Sequence, residues 1–204
     1  MSIRFSDAGL RALGYPPPHI QYNMPDLSDL FPRNMANVSL DRLTGNFRGP
    51  KSHPHFNMWM NAVRLTDLAI TDYEAARGHL ATYREHAREG QIGPFYQAIN
   101  DLESCVGATF RSVLNCERLQ VMETRKLNGP TTRQREMLRL ARNHIQHMDD
   151  KLEKGQVGPR DIHLLAPLAT GLAIGKVRLP YRDLASCITK LYRNIEIIRR
   201  APSK

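Results

Sequence analysis

The chain is poor in cysteine, short of acidic residues and without any long apolar run, and each shortage removes a class of protein. Its three cysteines, Cys105, Cys116 and Cys187, are odd in number and lack Cys-x-x-Cys spacing. Neither a disulfide framework nor a zinc finger is therefore indicated, and a reducing compartment is expected. No stretch reaches the roughly 18 consecutive apolar residues of a membrane-spanning helix. The opening Met1-Ser-Ile-Arg-Phe-Ser-Asp has no apolar run either, so a cytoplasmic protein with no membrane partner is expected. No Gly-rich phosphate loop follows a strand pattern, no Gly-x-Ser-x-Gly elbow occurs, and the cysteines have no evident histidine partner. The acid shortage is the most telling: 29 Lys and Arg against 20 Asp and Glu give a net charge of +9. Such an excess favours a polyanionic partner through attraction to phosphates and release of their counterions. RNA is the first such partner to consider and a membrane surface the second.

What is present divides the chain in two. At 204 residues it is long enough for one domain with a real core. Residues 1–56 carry Pro16-Pro17-Pro18, Pro25, Pro32, Pro50 and Pro54, which argues against any long helix there. Single turns are expected near Asp7 to Leu13, Pro25 to Phe31 and Leu40 to Leu43. Phe5, Leu10, Leu13, Tyr15, Leu27, Leu30 and Phe31 are too many apolar groups for free disorder. The segment reads as a Pro-rich arm packed on the bundle or bridging to a partner.

Residues 57–204 read as a helical domain. Trp59, Ala62, Thr66, Ala69, Tyr73, Ala76, Leu80 and Tyr83 alternate at spacings of three and four, the pattern of a packing seam. On that seam Trp59 is better read as core than as a base-stacking platform. Gly90 and Gly93-Pro94 end this helix and open a second, with the stripe Ile99, Leu102, Val106, Phe110 and Val113. Glu117 lies on that stripe and should pair with Arg135 or Arg139 if the next helix runs antiparallel. A third helix, capped by Thr131 or Thr132, is expected to reach about Lys154, with Leu138, Ala141, Ile145, Met148 and Leu152 as its core stripe. Residues 162–179 are rich in branched apolar residues and punctuated by Gly171 and Gly175, which suits a short hairpin. A last helix carries Leu184, Ile188, Leu191 and Ile195 inward. The fold class is all-α: an up-down bundle of about four long helices, with a short extended insertion before the last.

The third helix contains Arg142-Asn143 followed by His147. Asn143 and His147 are four residues apart and share a face roughly opposite the apolar stripe, with Arg142 at the side between them. All three are expected to point away from the core. An Arg-Asn pair followed by His on a helix of a small helical protein resembles the motif of the HEPN superfamily, and the order of helices and insertion over residues 57–199 is similar too. The resemblance implies a homodimer in which Arg142, Asn143 and His147 of both subunits line one cleft and cut RNA without a metal or other cofactor. It also implies a toxin or antiviral-defence setting, with an antitoxin or larger protein assembly as the kind of regulator to look for.

The chemistry suits the residue types. RNA supplies its own nucleophile, the 2′-hydroxyl, so an enzyme need only move protons and hold the charge of the phosphorane. His147 fits the proton transfers because an unperturbed imidazole titrates at about 6.5. Arg142 fits the phosphoryl oxygens, and Asn143 can donate to the phosphate or orient the histidine. His144 reads as a packing residue. Ten Lys or Arg against five acids over residues 118–160, and eight against two over 176–204, concentrate positive charge in the motif-bearing half. Arg139 and Lys151 are the expected RNA-binding side chains. His53, His55, His144 and His147 lack the Cys or carboxylate spacing of a zinc set, so no metal site is assigned. The alternative function is a non-catalytic helical module that binds RNA, DNA or protein, since one fold serves both kinds.

Overall fold

Two long helices carry the structure. In a computed structural model that describes residues 4–30, 34–50, 52–123, 126–147, 153–155 and 165–200, α3 (His53–His86) and α4 (Gly93–Glu123) lie against each other. They are preceded by α1 (Asp7–Ala12) and α2 (Asn34–Leu43), and followed by α5 (Thr132–Gln146), strands β1 (Leu165–Pro167), β2 (Gly171–Ile174) and β3 (Val177–Pro180), and α6 (Tyr181–Arg200). The described residues are mostly helical, with six α-helices and one small antiparallel sheet. This is broader than the expected four-helix bundle.

The seam on α3 is buried as its spacing predicts: Trp59, Ala62, Ala69, Tyr73, Ala76, Leu80 and Tyr83 are all 0–1 % exposed. Small residues on one side let the two backbones approach, and Leu102, Val106 and Val113 of α4 fill the other side of the core. Polar contacts cross the seam in a few places: Thr66 and Ser112 share a hydrogen bond of 2.8 Å, Ser112 also donates to Ala62 O at 3.2 Å, and His79 meets Asp101 at 2.8 Å. Trp59 is enclosed by Phe47 and Phe56, with ring centroids 5.4 and 6.2 Å away, so it has no face left for a nucleobase. α3 starts four residues earlier than residue 57, with Ser52 before it and Pro54 in its first turn. A proline there is compatible with the helix, because the first N–H groups have no intrahelical partner to lose.

The N-terminal segment lies on the bundle. The Tyr83 hydroxyl donates to the Pro16 carbonyl, the Phe5 amide to Arg88 O at 2.8 Å and the Asn23 amide to Ala169 O at 2.7 Å. Leu10, Leu27 and Val38 are buried. The segment is more helical than expected, because α2 runs for ten residues rather than a single turn. Its N-terminal cap comes from another helix: Asp67 of α3 accepts from the Met35 amide at 3.0 Å and from Asn34 Nδ2 at 2.7 Å. Burial raises the Asp67 carboxyl above the ordinary range, and those two donors partly offset the rise.

The insertion is a three-stranded meander in the order β1-β2-β3 rather than a single hairpin. Leu165 pairs with Ile174 and Leu172 with Leu179, and all four are buried. The alternate row, Ala166, Ala173 and Arg178, faces outward as a strand's period of two requires. Gly171 is needed where β2 meets β3, since a Cβ there would lie 2.5 Å from Leu179 O and 2.7 Å from Pro180 Cα. Backbone atoms that close cannot move aside. No helix among the described residues is long and apolar enough to cross a membrane.

Candidate active site

The helix that bears the motif is fixed by polar side chains at its start. Thr131 and Gln134 form a capping box, the Gln134 amide donating to Thr131 Oγ1 at 3.2 Å and the Thr131 amide to Gln134 Oε1 at 3.0 Å. Gln134 also joins α5 to α6, donating to Asp183 at 3.2 Å and accepting from Lys190 at 3.3 Å. Just before α5, the buried Asn194 side chain accepts from the Asn128 amide and donates to the Asn128 carbonyl, both at 3.0 Å. On the opposite flank Arg135 makes a two-pronged ion pair with Glu117 of α4, at 2.7 and 3.0 Å. This is one of the two pairings that the antiparallel arrangement predicts. Leu138 and Ala141 are fully buried and Ile145 partly so.

The helix is shorter than expected, and this changes the setting of the motif. α5 ends at Gln146, and His147 is its C-cap, with the His147 amide donating to Asn143 O at 3.1 Å. Arg142, Asn143 and His147 therefore occupy the end of the helix, not its middle. Met148 and Leu152, expected on the stripe, lie outside the described residues.

The three side chains do not all point outward. His147 is exposed, while Arg142 and Asn143 are half-buried. The Arg142 guanidinium lies over the Phe110 ring of α4, its carbon 5.9 Å from the centroid. Successive residues step about 100° around a helix, which turns Arg142 off the outward face and onto the α4 flank. A cation over an aromatic face gains roughly 0.5–1 kcal/mol at an accessible site. Arg142 Nη1 also donates to Asn143 Oδ1 at 3.3 Å, so Phe110, Arg142 and Asn143 form one chain of contacts. Phe110 was legible only as a member of the α4 stripe; its role under Arg142 depends on a crossing that sequence does not display.

His144 packs as expected, and its neighbour was not foreseen. A Cβ on Gly175 would overlap the His144 imidazole, so the turn between β2 and β3 closes directly over that ring. Gly175 has φ +56°, a backbone state that also favours glycine. Of the two expected RNA-binding residues, Arg139 is engaged by Glu136 through bonds of 2.8 and 2.6 Å. Lys151 lies outside the described residues. The cysteine thiols are all buried, and burial pushes Cys105 upward and Cys116 and Cys187 up to about 12. None is a thiolate nucleophile near neutral pH. Among the described residues no three His, Cys, Asp or Glu side chains converge as metal ligands.

No protein-family model, curated protein or solved structure matches this chain.

Proposed function

We propose that the protein is a metal-independent endoribonuclease of the HEPN type, acting as a homodimer on RNA. The observation that carries this reading is the exposed His147 at the end of α5, one helical turn from an Asn143 that is bonded to Arg142. In this reading His147 exchanges protons with the 2′-hydroxyl and the leaving 5′-oxygen. Arg142, its guanidinium set by Phe110 and Asn143, neutralises the phosphorane oxygens. A second subunit brings a second His147, so that one imidazole serves as base and the other as acid. Leu140, 38 % exposed and one turn before Asn143 and His144, offers the partner an apolar foothold on this helix. Sedimentation at micromolar concentration should give a dimer. A toxin or defence role under an antitoxin or larger assembly belongs to the same proposal.

The deciding experiment uses purified protein, labelled RNA and excess chelator, with wild type beside His147→Ala and Arg142→Ala. Wild type should yield products ending in a 2′,3′-cyclic phosphate, should leave DNA uncut and should ignore the chelator. His147→Ala should lose about 10²–10⁴ in rate while still binding RNA, and Arg142→Ala should lose cleavage and some binding. Cleavage abolished by the chelator would indicate a metal nuclease instead. Binding without cleavage across a panel of RNAs would indicate the non-catalytic module.

A further inference from the structure

The turn that covers His144 is basic. Gly175 and Lys176 form the turn, and Arg178 follows on the outward row of β3. Lys176 and Arg178 are both exposed. Arg178 Nη1 donates to the carbonyls of Gly175 and Val177 at 3.0 and 3.1 Å, which holds the guanidinium on the turn. Carbonyls carry no net charge, so these bonds orient the cation without neutralising it. The contrast with α5 is direct. Arg135 and Arg139 are each matched to a carboxylate, Glu117 and Glu136. Among the described residues no ion pair engages Lys176 or Arg178.

The position of the turn follows from one contact. The Gly175 turn rests on the His144 ring, so it lies over the last turn of α5, the turn that His147 caps. A strand of RNA with a phosphate at His147 would carry its neighbouring phosphates along the surface that bears Lys176 and Arg178. We propose that Lys176 and Arg178 form the phosphate-binding arm of the site, holding the backbone of single-stranded RNA next to His147. This rests on the ribonuclease reading, and it moves the main electrostatic contact from α5 to the β2–β3 turn.

The test reads binding apart from cleavage. A fluorescein-labelled oligouridine with methylated 2′-oxygens cannot be cut through the 2′-hydroxyl, and its affinity is measured by anisotropy over a range of salt. For single strands the logarithm of affinity falls with the logarithm of salt by about 0.7 per neutralised phosphate. Combining Lys176→Ala and Arg178→Ala should therefore flatten the slope by about 1.4. Combining Arg64→Ala and Arg84→Ala, two exposed cations of α3, removes the same charge and should leave the slope near that of wild type. An unchanged slope in the turn variant, with wild type binding the probe and cutting unmodified RNA, overturns the arm and leaves the ribonuclease standing. Equal flattening in both variants also overturns it, since net charge alone would then explain the effect. A wild type that neither binds the probe nor cuts RNA overturns both readings together.

Discussion

α3 and α4 meet along a long buried apolar seam crossed by a few hydrogen bonds, whereas α5, with a short apolar stripe, is registered against its neighbours mainly by hydrogen bonds and one ion pair. The two kinds of contact do different work. Burial of apolar surface is strong and non-directional, so the α3–α4 seam supplies stability while tolerating small slips. Hydrogen bonds are weaker in net terms and demand a geometry, so Thr131, Gln134 and Asn194 say where α5 must sit. A site that needs its side chains placed to a fraction of an ångström belongs on the second kind of element.

Substitutions can separate the two. The largest effect is expected at the seam: Trp59→Ala should cost about 3–5 kcal/mol in urea unfolding, and a loss below about 1 kcal/mol would show that the seam is not where stability resides. Next comes Asn194→Ala, which leaves the Asn128 amide and carbonyl without that partner and should cost about 1–3 kcal/mol. Its distinguishing mark is local. Amide hydrogen exchange should quicken around residues 127–135 before the seam opens, and a uniform quickening would erase the distinction drawn between the two regions.

Gly175→Ala probes the far end of α5. A side chain in the left-handed region costs about 1–2 kcal/mol, and the new methyl must also displace the His144 ring. The second cost should vanish in a background of His144→Ala. A double-mutant cycle should therefore give a coupling of about 0.5–3 kcal/mol, and additivity would mean that turn and ring do not touch in solution.

The smallest expected effect concerns Glu103 on α4, whose carboxyl burial raises above the ordinary range. A carboxylate with a raised folded-state pKa opposes folding when ionised, and the penalty fades as pH falls through that raised value. Glu103→Gln should accordingly lift the melting temperature at pH 7 by on the order of 1 °C, and the gain should shrink towards pH 4. A gain that stays constant with pH would assign the effect to packing instead of charge.

The contacts that sequence makes legible are those that repeat along one element. The α3 seam, the α4 stripe, the Thr131 cap, the glycines after α3 and the inward rows of α6 all follow from spacing or from residues three apart. Glu117 with Arg135 was within reach because a short turn brings the two helices back antiparallel. The misses depend on residues far apart in the chain. The ten-residue length of α2 was hidden because its cap is Asp67, on another helix. Arg142 on Phe110 and His144 under Gly175 join elements whose crossing no periodicity encodes. The end of α5 at Gln146 is not marked by any glycine or proline, and the two later stripe residues, Met148 and Leu152, lie outside the described residues. The motif residues themselves were plain; their burial and the basic turn beside them were not.

One contact bears on the order in which the molecule assembles. Arg199 near the end of α6 pairs with Asp41 on α2, 158 positions away, and is steadied by Glu196 one turn before it. A loop of that size is not especially costly to close, since the entropy grows only with the logarithm of its length, but distant contacts are slow to find. On a ribosome, α3 and α4 can pair while the rest is still being made, whereas Asp41 must wait for α6. The tie of α2 to α6 is thus made last, after Tyr83 and Asp67 have engaged Pro16 and the start of α2, and a refolding experiment that follows Tyr83 and the Asp41–Arg199 pair separately should see the first signal settle before the second.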